Sequence, residues 1–245
     1  MDSFNIEIAG LVARVRPMFS STKEYCRNYL SNRESECDIE ISEFDLIYEQ
    51  QMLDIEAVEE GLRTRKFTGP FLERTAIQRK VADALLLRDT ILVHGSTVAV
   101  DGAAYMFTAA CGTGKSTHTR FWREVFGDRA LMINDDKPFL RIGPDGVTAF
   151  GSPWSGKHGL DTNIALPLKG ICILHRGLEN AIRQITANDA RAMLLHQTHT
   201  PDNAAMQNHV SALVEKLMEQ EPLWEMMCTK DPIAAKIAFD AMSSV

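Results

Sequence analysis

The chain has 245 residues and a mass of 27.4 kDa, room for one large domain or for a domain with a small addition. Apolar residues make up 45% and charged residues 24%, the composition of an ordinary globular protein. A formal net charge of −7 argues against duplex nucleic acid or a membrane surface as partner, but one local cluster of donors can hold an acidic small ligand at any net charge.

Taken in chain order, "FNIEIAGLVARVR" alternates as a strand or hairpin does, and "CDIEIS" reads as another short strand. Residues 46 to 66 are polar and have no clear period. "GPFLERTAIQRKVADALLL" opens on a Gly-Pro breaker and then places Phe71, Leu72, Ile77, Val81, Ala84 and Leu85 at helical spacing. The texture then turns β-rich in "ILVHGSTVAVDGAAYMFTAA", where Asp101-Gly102 between two apolar runs predicts a tight hairpin. "THTRFWREVFG" predicts a helix closed by Gly127, and "ALMI" a short buried strand. "GPDGVTAFGSPWSGKHG" reads as turn-rich and "LKGICILHRG" as a strand. "NDARAMLLHQ" and "AMQNHVSALVEKLMEQ" read as helices, "PLWEMMCT" as a last strand, and "PIAAKIAFDAM" as a terminal helix with Pro232 at its start. The pattern is mixed α/β, with a boundary placed near residue 70: an α+β region over 1–70 and a second, larger domain over 71–245.

The five cysteines, Cys26, Cys37, Cys111, Cys172 and Cys228, form no C-x-x-C pair. Reduced thiols in a cytoplasm are therefore expected rather than zinc or a disulfide framework. "MDSFNIEIAG" lacks the basic and apolar regions of a signal peptide, and no run approaches the roughly 18 apolar residues that span a bilayer.

The informative stretch is "FTAACGTGKSTHTRFW". Ala109 to Ser116 fits the phosphate-loop pattern G-x-x-x-x-G-K-[ST], with Ala109 where glycine is usual. Gly112 and Gly114 let backbone amides approach phosphate oxygens, and the following helix points its positive end at the same place. Ala110, Cys111, Thr113 and Thr117 complete the expected nucleotide-binding run with Lys115 and Ser116. Lys115 supplies a mobile charge for the terminal phosphates, and Ser116 a hydroxyl for Mg²⁺. The plainer alternative is a glycine-rich turn with an exposed lysine.

Asp135 and Asp136, about 20 residues beyond Lys115 and just after the apolar "LMI", offer one carboxylate for a metal and one for an acceptor's proton. Taken alone, such a pair is a solvated turn. His94 ends a β-like run and by spacing alone reads as structural. "GSPWSGKHG" is either a surface loop or a substrate loop, with Lys157 countering charge and Trp154 as a lid. Trp122 reads as core, while Arg120 faces either phosphate or solvent.

"HGSTVAVDG", then "CGTGKST", then "NDD", with an antiparallel hairpin feeding the loop, resembles the HPr serine kinase/phosphorylase and phosphoenolpyruvate carboxykinase superfamily. "CGTGKSTHTRFW" with "PWSGK" is similar to the small HPr-kinase-like bacterial proteins. The resemblance is clear over about residues 90 to 176 and weaker in the C-terminal "PLWEMMCTKDPIAAKIAF". It implies a carboxykinase/HPr-kinase-like P-loop fold with a mixed sheet. It also implies His94 near metal or transferred phosphate, Lys115 and Ser116 on phosphate and metal, and an acid pair with Asp135 as base and Asp136 as metal ligand. Cys111 stands where many relatives have serine, and neither a second basic set for decarboxylation nor the C-terminal signature loop of true HPr kinases is present.

The expected activity is transfer of the γ-phosphate of ATP, with Mg²⁺, to a serine-like hydroxyl on a protein or peptide. A small-molecule kinase and a non-catalytic nucleotide sensor are the alternatives. No nucleic acid or membrane partner is expected, and an oligomer is compatible with the sequence.

Overall fold

The computed structural model describes residues 2–59 and 61–244. The chain separates into two compact units, 1–84 and 85–245. The helix that the sequence assigns to the start of the second domain thus belongs, up to Ala84, to the first.

The first unit begins with strands β1 (Phe4–Ile8) and β2 (Leu11–Arg16), an antiparallel hairpin. Its turn, Ala9-Gly10, has both residues at positive φ (47° and 72°), the geometry that matches strand twist. A short helix α1 (Ser21–Tyr25) precedes β3 (Cys37–Glu40), which pairs parallel with β2. The segment without a clear period is largely helix: α2 spans Glu43–Glu59. Phe44, Ile47, Met52, Ile55 and Val58 are exposed while Leu46 and Leu53 are half-buried, which is why the sequence period is hard to read. Helix α3 (Gly69–Leu86) carries Pro70 in its first turn, where the missing amide hydrogen costs nothing.

In the second unit, β4 (Thr90–Leu92), β5 (Ser96–Val100) and β6 (Ala103–Thr108) precede helix α4 (Lys115–Phe126). The predicted hairpin joins β5 and β6, with Asp101 and Gly102 at φ 53° and 83°. Strand β7 (Ala130–Asn134) leads into β8 (Phe139–Gly143) and β9 (Gly146–Phe150). The stretch read as turn-rich is therefore half of an antiparallel hairpin before it becomes a loop. Its Gly-Pro-Asp-Gly turn outweighed the short alternation that buries Ile142, Val147 and Ala149. The chain continues through β10 (Ala165–Arg176), β11 (Ala181–Gln184), α5 (Ala187–Gln197), α6 (Ala204–Gln220), β12 (Leu223–Cys228) and α7 (Ile233–Met242). β8 and β11 were not anticipated.

The strands form one curled mixed sheet in the order β4-β8-β9-β10-β6-β5-β7, with β12 beside β10 and β11 beside β12. The curl centres on β10. Its first residues pair antiparallel with β9, and its later ones run parallel to both β6 and β12. Strand alternation then divides two cores. Ala104 and Met106 of β6, with Ile171 and Ile173 of β10, pack with α5 and α6, while Tyr105, Phe107, Cys172 and Leu174 pack with α4 and α7. Buried Trp122 sits in the second core, its indole donating to His118 Nε2 at 3.1 Å. Among the described residues no helix is long and apolar enough to cross a membrane.

Candidate functional site

β6 ends at Thr108 and α4 starts at Lys115, so the glycine loop is a short strand-to-helix connection. Gly112 and Gly114 have φ of 70° and 125°, values an L side chain adopts only under strain. The Lys115 ammonium is buried and donates to the Ala109 carbonyl at 3.1 Å. Arg176, at the end of β10, reaches across and donates to the Gly112 carbonyl at 2.5 Å.

The acid pair lies at the end of β7 and is fixed by Asn134. Its Oδ1 accepts from the amides of Asp136 (2.8 Å) and Lys137 (2.6 Å), an Asx turn. Its Nδ2 donates to the Ser152 carbonyl at 2.8 Å. Asn134 thus ties the acids to the 151–155 loop. Asp135 is 5% exposed and accepts from Ser96 Oγ at 2.7 Å. Ser96 Oγ is in turn 2.8 Å from Thr119 Oγ1 on α4.

Asp136 is half-buried, with Oδ1 3.2 Å from His94 Nε2. Burial pushes its carboxyl up, but the His94 bond and the charges of Lys137, His94 and Lys115 outweigh this and hold it below the usual carboxylate range. Burial, reinforced by Lys137 and Lys115, lowers His94 despite the Asp136 carboxylate. The imidazole thus meets a carboxylate that stays ionised at neutral pH. A carboxylate held low is a weak base and a ready cation ligand.

Gly156 brings the next loop close: a Cβ there would lie 3.2 Å from Asp136 Cβ, and its φ is 67°. Lys157 and His158 follow in a single 3₁₀ turn. Trp154 is not a lid. It is buried, with its ring centroid 6.4 Å from that of Phe139, and anchors the loop from beneath.

These elements meet around a cavity of about 510 Å³, lined by His94, Cys111, Gly112, Gly114, Lys115, Ser116, Thr117, Arg120, Asp135, Asp136, Lys157 and His158. Ala110 and Thr113 line a neighbouring hollow of about 500 Å³, with Arg176 and Met227. A third hollow, about 210 Å³, lies along α4 between Thr117, Phe121, Arg176, Thr229 and Lys230. Sequence reasoning singled out the charged members and missed Ser96, Asn134, Ser152 and Arg176. Only Asn134 had a local signal, as an Asx residue directly before two acids.

The oxygen donors beside the loop, Ser116 with Asp135 and Asp136, are too few to cage a cation. They suit a Mg²⁺ that keeps waters and takes phosphate oxygens. Among the described residues no group of three or more His, Cys, Asp or Glu side chains is placed to hold a metal.

No protein-family model and no curated protein matches the chain. Among solved structures it is similar to the HPr(Ser) kinase/phosphatase from Coxiella burnetii, at 11% identity and a TM-score of 0.30, covering 51% of this chain and 93% of that one. The reading of the site rests on its own geometry.

Proposed function

We propose that this chain is an ATP-dependent phosphotransferase whose acceptor is a hydroxyl group on a peptide or protein. The observation that carries the reading is the meeting of His94, Lys115, Ser116, Asp135, Asp136 and Lys157 around one cavity at the N-terminal end of α4. The loop amides, the positive end of α4 and Lys115 would hold the β- and γ-phosphates. Ser116 and Asp136 would hold Mg²⁺, which when bound neutralises phosphate charge. The hollow beside Phe121, Arg176 and Lys230 offers the nucleoside a place on the side of α4 away from the acids.

Asp135, with one oxygen fixed by Ser96, takes the acceptor's proton as the acceptor oxygen bonds to the γ-phosphorus. The bond from that phosphorus to the bridging oxygen breaks, and ADP leaves with the electron pair. His94 orients Asp136, and Lys157 meets charge developing on the transferred group.

The test is to incubate the protein with γ-labelled ATP, Mg²⁺ and cell extract, then separate macromolecules from metabolites. Label on macromolecules, lost with Lys115→Ala, is the expected result. Label confined to metabolites would replace the acceptor class by a small molecule, and label released only as free phosphate would remove the transferase reading.

A further inference from the structure

Helix α2 has apolar side chains on both faces: Leu46, Leu53 and Ala57 are half-buried on the inner one. Polar side chains fasten it within its unit: Glu49 accepts from Arg79 Nε at 2.7 Å, and Asp45 is 2.8 Å from Lys80 Nζ. The Tyr48 ring lies under the Arg79 guanidinium at 4.6 Å. Gln50 joins α2 to the chain beyond it, accepting from Phe67 N and donating to the Arg65 carbonyl.

The most exposed apolar side chains point the other way. Phe44 is 83% exposed and Val58 66%, with Ile47 and Ile55 exposed between them. At 3.6 residues per turn, positions 44, 47, 51, 55 and 58 fall within an arc of about 80°, a continuous stripe interrupted only by Gln51. Their spacing repeats after 11 residues (44 to 55, 47 to 58), the period that keeps a seam facing a straight or slightly right-handed partner helix.

The rims of the stripe are acidic. Asp54 and Glu43 flank one side and Glu59 the other, and α2 contains no lysine or arginine. A second α2 would bring acidic rims against acidic rims, and an anionic bilayer would be repelled in the same way. The complement to an apolar seam with acidic rims is an apolar seam with basic rims.

We propose that the outward stripe of α2 is a docking surface for a cationic amphipathic helix of a protein or peptide partner. The proposal is independent of the phosphotransfer reading, since it uses none of the cavity residues.

The probe is a fluorescent 18-residue peptide of leucine and lysine patterned as an amphipathic helix, titrated by anisotropy into the full-length protein at low and at physiological salt. The controls are a scrambled peptide of the same composition and a leucine/glutamate peptide of the same pattern. Saturable binding of the patterned cationic peptide is expected, weakened by salt and at least tenfold tighter than either control. Phe44→Ser/Ile55→Ser, with an unchanged far-UV spectrum, should lose at least tenfold in affinity. Equal binding of the scrambled peptide, or no loss in the variant, would overturn the proposal. So would a wild-type dimer that this variant converts to monomer, because the stripe would then be occupied by a second copy.

Discussion

In the first unit, Glu73 is fully buried, and its carboxylate accepts from the amides of Met18 and Phe19 and from the Thr22 hydroxyl. In the second, Asp136 is half-buried, leans on His94 and faces a cavity. Both are acids removed from bulk water, yet only one has capacity left for a ligand. Glu73 is fully committed to one turn of backbone, as Glu49 is to Arg79. A buried charge is thus a functional candidate only when its partners leave a lone pair or a proton facing open space.

That contrast breaks first at the acid pair. Asp135→Asn and Asp136→Asn are each expected to lower turnover by about 10²–10⁴-fold. Only Asp136→Asn should weaken Mg²⁺-dependent nucleotide binding, read by titration with and without the metal. If both variants work at the wild-type rate, the pair is a surface turn. Lys115→Ala should cost roughly 10²–10³-fold in turnover. It should also abolish the stabilisation by Mg-ATP, about 2.7 kcal/mol at a hundredfold excess over Kd. A melting curve that Mg-ATP does not move in the wild type would leave the glycine loop a plain turn.

On the other side of the comparison, Glu73→Ala leaves buried donors unpaired. It should lower unfolding free energy by about 3 kcal/mol in a denaturant titration while the folded protein keeps its nucleotide affinity. Loss of affinity without loss of stability would put Glu73 in the wrong class.

Glu221 sharpens the contrast. Burial raises its carboxyl to about 7 from an ordinary 4.5, against the amide of Val147 and the charge of Lys169. Between those values the folded state holds a proton that the unfolded chain has released, so stability falls as pH rises from about 4.5 to 7. Glu221→Gln should therefore be more stable than wild type at pH 8 by roughly 3 kcal/mol and show no gain at pH 4. A pH-independent difference would contradict the assignment. The smallest effect is at Gly156→Ala, where positive φ and the nearby Asp136 Cβ predict about 1 kcal/mol of strain and a severalfold fall in turnover.

Most of the strands, the Asp101-Gly102 hairpin and the charged members of the site were legible because each has a local cause: period, turn chemistry or a short motif; β8, β9 and β11 were not. The glycine loop and the acids lie within 30 residues of one another (109 to 136), and the sheet brings their neighbours together. Helix α2 was illegible because its apolar stripe faces solvent and its anchors are ion pairs, so neither follows the rule that apolar means inward. Ser96, Ser152 and Arg176 were illegible for another reason. Each acts on a residue distant in the chain, and a serine or arginine in a strand or loop carries no mark of what the fold will bring against it. Trp154 shows the opposite error: an aromatic in a glycine-serine loop suggested a cover, but burial against Phe139 made it a foundation.

The bond from Lys115 to the Ala109 carbonyl bears on the order of the free loop. An ammonium has three hydrogens and this bond uses one, so the contact sets where the lysine points without using up its charge. A four-carbon stem held this way has already lost rotamer freedom in the free loop, and on the phosphotransfer reading that ordering does not have to be imposed a second time when an anion arrives. The carbonyl of Ala109 thus acts as a brace: it holds the charge in place before any ligand is there.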